Sequence, residues 1–107
     1  MTVKEKAERI AQILEEKKAE DIKVLDVGDK TIIADYFVIC SGKSVPHIKT
    51  LCDEVEEKVE QEFHDLKRLR TDGYNEARWI VIDYGTVLVH IFHPEEREYY
   101  KLERLWS

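Results

Sequence analysis

The chain has 107 residues, 43% hydrophobic and 37% charged, with 17 basic against 23 acidic side chains and a net charge of −6. That length suits one domain rather than two, so residues 1–107 are read as a single domain, and the apolar content is too high for a disordered chain. No run approaches the ~18–20 apolar residues of a membrane span, the polar start Met1–Lys6 does not read as a signal peptide, and the acidic balance favours a basic protein surface over nucleic acid as partner.

Residues 2–18 read as a helix. Thr2 with Glu5 three places on is a capping box, and Val3, Ala7, Ile10 and Leu14 fall on one face at helical spacing. Residues 22–27 and 35–41 read as strands around a turn at Gly28-Asp29-Lys30. Gly42-Lys43 breaks the second strand. Ser44 then caps a long helix with Pro46 in its first turn, and Val45, Ile48, Leu51, Cys52, Val55, Val59 and Phe63 form its apolar stripe. The acidic run from Asp53 to Glu60 is read as that helix's solvated face. Cys40 and Cys52, with no CxxC and 11 residues between them, are expected to be reduced, buried thiols of a cytoplasmic protein.

Leu66–Arg70 reads as a short basic edge strand and Thr71–Arg78 as a polar loop around Gly73. "WIVIDYGTVLVHIF", residues 79–92, is a hairpin. With Tyr84-Gly85 as a two-residue loop, Asp83 pairs with Thr86, Val81 with Leu88 and Trp79 with His90. One face then carries Ile80, Ile82, Val87, Val89 and Ile91 and must be core. The other carries Trp79, Val81, Asp83, Thr86, Leu88, His90 and Phe92. Apolar anchors mixed with a few polar groups suit a protein–protein interface. The alternative is that a helix covers this face and satisfies Asp83 and His90 internally. A last helix starts at Pro94, with Tyr99, Leu102, Leu105 and Trp106 along one side. The order is α-β-β-α-β-β-β-α: a mixed sheet packed with helices, of the α/β (α+β) class.

Catalytic signals are weak. "DYFVICSGKS" imitates the end of a phosphate-binding loop, but the glycine required five residues before Gly42 is Phe37. The turn at Ser41–Ser44 is better explained by helix capping than by an anion site. Asp83 has Val81 and Gly85 two places either side, so the paired carboxylates of a metal-dependent nucleotidyltransferase are missing. His90 and His93 point to opposite strand faces and are not read as a zinc pair. The chain is expected not to be an enzyme and to need no metal or cofactor.

The segments "DIKVLDV", "DYFVICSGKSVPHIK" and "GYNEARWIVIDYGTVLVHIFHPEEREYYKLERLWS", with the helix between, resemble the ribosomal silencing factors of the Iojap-like family over about two-thirds of the chain. The resemblance implies a mixed five-stranded, nucleotidyltransferase-like sheet without the catalytic carboxylates. It implies binding to the large ribosomal subunit at ribosomal protein fourteen, which blocks joining of the small subunit and represses translation under nutrient limitation. It also implies the partner-binding residues: Trp79 as aromatic anchor, Asp83 against a Lys or Arg, His90 as a polar contact, Tyr99 or Tyr100 as aromatic area, and Glu95 and Glu98 against positive charge. A weak, concentration-dependent homodimer is expected, with no membrane partner and no sequence-specific nucleic acid. Two alternatives stay open: a factor that assembles the large subunit, and a nucleotide-binding enzyme using Ser41, Lys43 and Asp83.

Overall fold

The computed structural model describes residues 1–106, Trp106 by its backbone alone. Helix α1 (Val3–Glu16) opens with the capping box in full: the Thr2 hydroxyl accepts from the Glu5 amide, and the Glu5 carboxylate accepts from the Thr2 amide. Those backbone and hydroxyl donors lower the pKa of Glu5. Strands β1 (Glu20–Asp26) and β2 (Tyr36–Ser41) follow as an antiparallel pair. Helix α2 (Val45–Glu62) is capped by Ser44, whose hydroxyl accepts from the His47 amide at 3.3 Å. The edge strand β3 (Arg70–Asp72), then β4 (Trp79–Asp83) and β5 (Val87–Phe92), complete a five-stranded sheet of order β1-β2-β5-β4-β3. The β2–β5 pair is parallel and the others are antiparallel, so the sheet is mixed as expected.

Helices α1 and α2 lie together on one face. Ala7, Ile10, Ile13 and Leu14 of α1 and Ile48, Leu51, Cys52, Val55 and Val59 of α2 join Val38, Cys40, Ile80, Ile82, Val87, Val89 and Ile91 in one core. Arg9 ties the two helices through a two-pronged contact with Glu62 at 2.8 and 2.9 Å, and Lys6 reaches Asp65 just beyond α2. The turn before α2 is spent on structure. The Lys43 amide donates to His47 Nδ1 at 2.9 Å, while His47 Nε2 donates to the Lys17 carbonyl at 2.8 Å. A Cβ on Gly42 would lie 2.6 Å from the Ile48 side chain, so glycine is required by close packing of the turn on α2.

The opposite face is covered only in part, by α3 (Pro94–Tyr100) and α4 (Leu102–Trp106). Leu102 packs with Val27, Ala34, Phe37, Ile39 and Phe92 in a second, smaller cluster. Arg97 fastens this cover. Its buried guanidinium donates to Ser41 Oγ at 2.9 Å, to the Asp21 carbonyl at 2.8 Å and to Glu103 at 3.1 Å. Asp21 sits at φ 50° where the β1–β2 register slips, and Arg97 takes up its carbonyl.

Three expectations require correction. The hairpin loop is Gly85-Thr86, not Tyr84-Gly85, with Gly85 at φ 81°. Tyr84 is buried in the core, which draws it into the ladder opposite Val87. The register therefore slides by two residues: Trp79 pairs with Phe92, Val81 with His90 and Asp83 with Leu88. A shift of two leaves every side chain on its expected face. The third strand is Arg70–Asp72 rather than Leu66–Arg70, because Leu66 turns into the core and Thr71 reaches inward to Glu56. The last helix is divided at Lys101, which takes φ 48° and caps α3 by donating to the Arg97 carbonyl. That break re-aims the chain, so of the expected stripe Leu102 is buried while Tyr99 and Leu105 are 81% and 72% exposed. The expectation for the Trp106 side chain lies outside the described residues.

Arg97→Met is expected to cost about 2–4 kcal/mol in urea unfolding, since it strands the Asp21 carbonyl and the Glu103 carboxylate. An unchanged midpoint would show that the clamp is incidental.

Candidate protein-binding face

The hairpin turns the apolar alternation of its sequence into two unlike surfaces. Trp79, Val81, Asp83 and Leu88 are half-buried on the face away from α1 and α2, and no helix lies fully over them. Trp79 is the most constrained of the four. Its indole stacks on Phe92 across the strand pair, ring centroids 4.9 Å apart. Tyr100 from α3 closes on it from the side, also at 4.9 Å. The indole N–H donates to His90 Nδ1 at 3.2 Å.

That hydrogen bond fixes the state of His90. An indole N–H can only donate, so Nδ1 is the bare nitrogen and the ring proton sits on Nε2. His90 is 5% exposed and lies edge-on to Phe37 at 4.7 Å. Nε2 has no hydrogen-bond partner among the described residues. Burial holds the imidazole pKa down to about 4. His90 is therefore a neutral support beneath Trp79, where the sequence reading placed it as a surface contact.

The other expected residues are distributed around this centre. Asp83 stands four strand residues from Trp79, roughly 13 Å at ~3.3 Å per residue. One of its oxygens accepts from the Gly85 amide at 2.8 Å, and the other lies 3.8 Å from Arg70. Tyr100 belongs to the Trp79 cluster, and the exposed Tyr99 packs edge-on against it at 5.0 Å. Glu95 accepts from Arg78 at 3.1 Å, and Glu98 lies 3.4 Å from Lys101. Arg78 was missed as a site residue. It precedes Trp79 and also binds Glu96 at 2.8 Å, tying the start of β4 to the start of α3 and lowering the pKa of Glu96. An Arg-Trp pair ahead of a helix opening on Pro-Glu-Glu is the signal that could have found it.

Among the described residues two carboxylate groupings approach metal-ligand spacing, and both are already engaged. In His93, Glu95 and Glu96 the Arg78 guanidinium occupies both glutamates. In Cys52, Asp53 and Glu56 the thiol is held up at about 12 by burial, while Arg68 and Thr71 both bind Glu56. Burial likewise raises Cys40 to about 12, leaving an unreactive thiol. No helix among the described residues is long and apolar enough to cross a membrane.

The neutral state of His90 has a pH signature. Above ~6.5 the ring is neutral folded or unfolded, and its stability contribution is fully present. As pH falls from there toward about 4, the unfolded chain takes a proton that the folded one refuses, and stability is lost. His90→Asn keeps an acceptor near the Nδ1 position and should remove this part of the slope in pH-dependent unfolding. His90→Ala should strand the indole N–H, seen as an upfield move and faster exchange of the Trp79 indole proton. A slope identical in wild type and His90→Asn would refute the assignment.

Comparison with known proteins agrees with the overall fold. The family model described as "Ribosomal silencing factor during starvation" matches residues 1–107. The ribosomal silencing factor RsfS of Bacillus subtilis is 39% identical over 97 residues, 91% of this chain and 80% of that protein. A mouse protein named mitochondrial assembly of ribosomal large subunit protein 1 is 32% identical over 92% of this chain and 43% of its own length. A crystal structure of a Chromobacterium violaceum protein superposes with a TM-score of 0.90 at 27% identity, covering 98% of this chain and 87% of that one. The expected Iojap-like resemblance is thereby met, and the chain belongs to the ribosomal silencing factor family.

Proposed function

We propose that this chain represses translation in the cytoplasm by binding the large ribosomal subunit at the basic ribosomal protein fourteen, so that the small subunit cannot join. The observation that carries the reading is the fixed, half-open Trp79. Stacked on Phe92, flanked by Tyr100 and hydrogen-bonded to His90, it enters a complex with little side-chain freedom left to lose. Aromatic anchors of this kind carry most of the energy of protein interfaces. Val81 and Leu88 supply apolar area beside it, and Asp83 supplies charge at the far end of the strip. Tyr99, Glu95 and Glu98 form the rim on the α3 side. The net charge of −6 steers the approach of a basic partner. The mechanism is steric: occupancy of the inter-subunit contact excludes the other subunit, with no catalytic residue and no cofactor.

Trp79→Ala should weaken binding by at least ~2 kcal/mol, about thirtyfold, and should also lose some fold stability because it leaves His90 Nδ1 without its donor, so binding is compared at a temperature where both proteins are folded. The measurement is sedimentation of purified subunits with wild type and variant. Wild type should travel with the large subunit and suppress whole ribosomes, and the variant should do neither. A folded Trp79→Ala that binds as wild type does would remove the anchor. Asp83→Asn should slow association and flatten its salt dependence more than it speeds dissociation.

A second reading has one observation in its favour, the name of the mouse relative. A factor that assembles the large subunit would use the same face earlier. It predicts immature large subunits in rich medium when the chain is absent, which a purely silencing role does not. A weak homodimer through the same strip would compete with either, and would dissociate on dilution.

A further inference from the structure

The loop that joins β1 to β2 buries its small residues and exposes its large ones. Val27 and Ala34 lie in the cluster beneath the Trp79 face, with Phe37 and Phe92. Ile32 is fully exposed and Ile33 is 61% exposed. Large aliphatic side chains normally take the buried places first. Local hydrogen bonds hold this inverted arrangement. The Val27 amide donates to the Asp35 carbonyl and the Asp35 amide to the Thr86 carbonyl, both at 2.9 Å. Between them the Ile33 amide donates to Thr31 Oγ1 at 3.1 Å. Ile32 and Ile33 edge a recess of about 370 Å³ against the Gly85-Thr86 turn. On the far side of that turn stands Leu69, also exposed, its Cδ1 3.8 Å from where a Cβ on Gly85 would lie. Three exposed aliphatic residues thus share one end of the sheet.

Given the proposed ribosomal role, on which this rests, we propose that Ile32 and Ile33 are a second anchor for the basic protein that meets Trp79. One partner then spans the sheet from Tyr100 to this loop. Continuity supports this occupant. Leu88 and Thr86 lead along β5 from the Trp79 strip to the recess. Phe92, which pairs with Trp79, stands six residues from Thr86, roughly 20 Å at ~3.3 Å per residue. A protein footprint of ordinary size, ~800 Å² on each side, covers that length. The half-buried Trp79, Val81 and Leu88 supply only part of such an area. Charge supports the same occupant. Asp26, Asp29 and Asp35 are exposed around the two isoleucines, and Lys30 is the one basic residue between Val27 and Asp35. Asp83 stands across the hairpin from Leu88. Apolar side chains within an acidic surround suit a basic protein surface and repel the phosphates of RNA.

The test compares wild type, Ile32→Ser/Ile33→Ser, Ile32→Val/Ile33→Val and Trp79→Ala. Each is measured by co-sedimentation with purified large subunits and by binding to isolated ribosomal protein fourteen. The serine variant should bind both targets at least about tenfold more weakly. The valine variant should bind nearly as wild type does. Both should keep the wild-type unfolding midpoint, because the replaced side chains are exposed. A serine variant that binds as wild type does, beside a Trp79→Ala that does not, overturns this second anchor and leaves the proposed function standing. A loss on intact subunits that is absent with the isolated protein sets the loop against RNA and also overturns it. Wild type that binds neither target removes the proposed function and the second anchor together.

Discussion

Unequal cover on the two sides of the sheet governs this molecule. Two helices of 14 and 18 residues lie on one face and bury most of it. Helices of seven and five residues lie on the other and reach only part of it. The strands respond to that difference. Core-facing positions of β4 and β5 are aliphatic, and Tyr84 joins them at the turn. The opposite positions grade from fully buried Phe92 to half-buried Trp79, Val81, Asp83 and Leu88. A sheet covered fully on both faces would have no use for Asp83, and one bare on the second face would not hold Phe92 at zero exposure.

What keeps the half-covered face ordered is a small set of polar contacts near the boundary between wet and dry. Arg97 anchors α3 and α4 to the ends of β1 and β2, and Arg78 anchors the start of α3 to β4. The Trp79–His90 bond connects the ladder to the aromatic cluster above it. Charge pairs farther out, such as Arg70 with Asp72 and Lys101 with Glu98, are solvent-exposed and add little. The stability of this side therefore rests on a few shielded groups.

Much of this is legible in the sequence. Alternation along β4 and β5 separates core face from open face, and that separation survived an incorrect register because the error was an even number of residues. The capping box, the Ser44 cap and the α2 stripe follow from local rules and were read correctly. The failures share one cause: a residue's role was set by a neighbour distant in sequence. Tyr84 left the turn for a core built by α2. Leu66 did the same and displaced the edge strand. His90 looked like a surface group because nothing in its own strand reveals that Trp79 stands over it. The Lys101 break has no local signature either, since lysine seldom takes positive φ.

Strand order and synthesis order are at odds in this sheet. β5 lies at the centre, parallel to β2 on one side and antiparallel to β4 on the other, yet it is the last strand in the chain. Until residue 92 is in place, the β1–β2 pair and the β3–β4 pair have no strand to join them. Val38, Cys40, Ile80 and Ile82 would meanwhile leave apolar sheet edges open. The α1-β1-β2-α2 half packs on itself, but the sheet is completed only when β5 joins its two strand pairs, a late and long-range step.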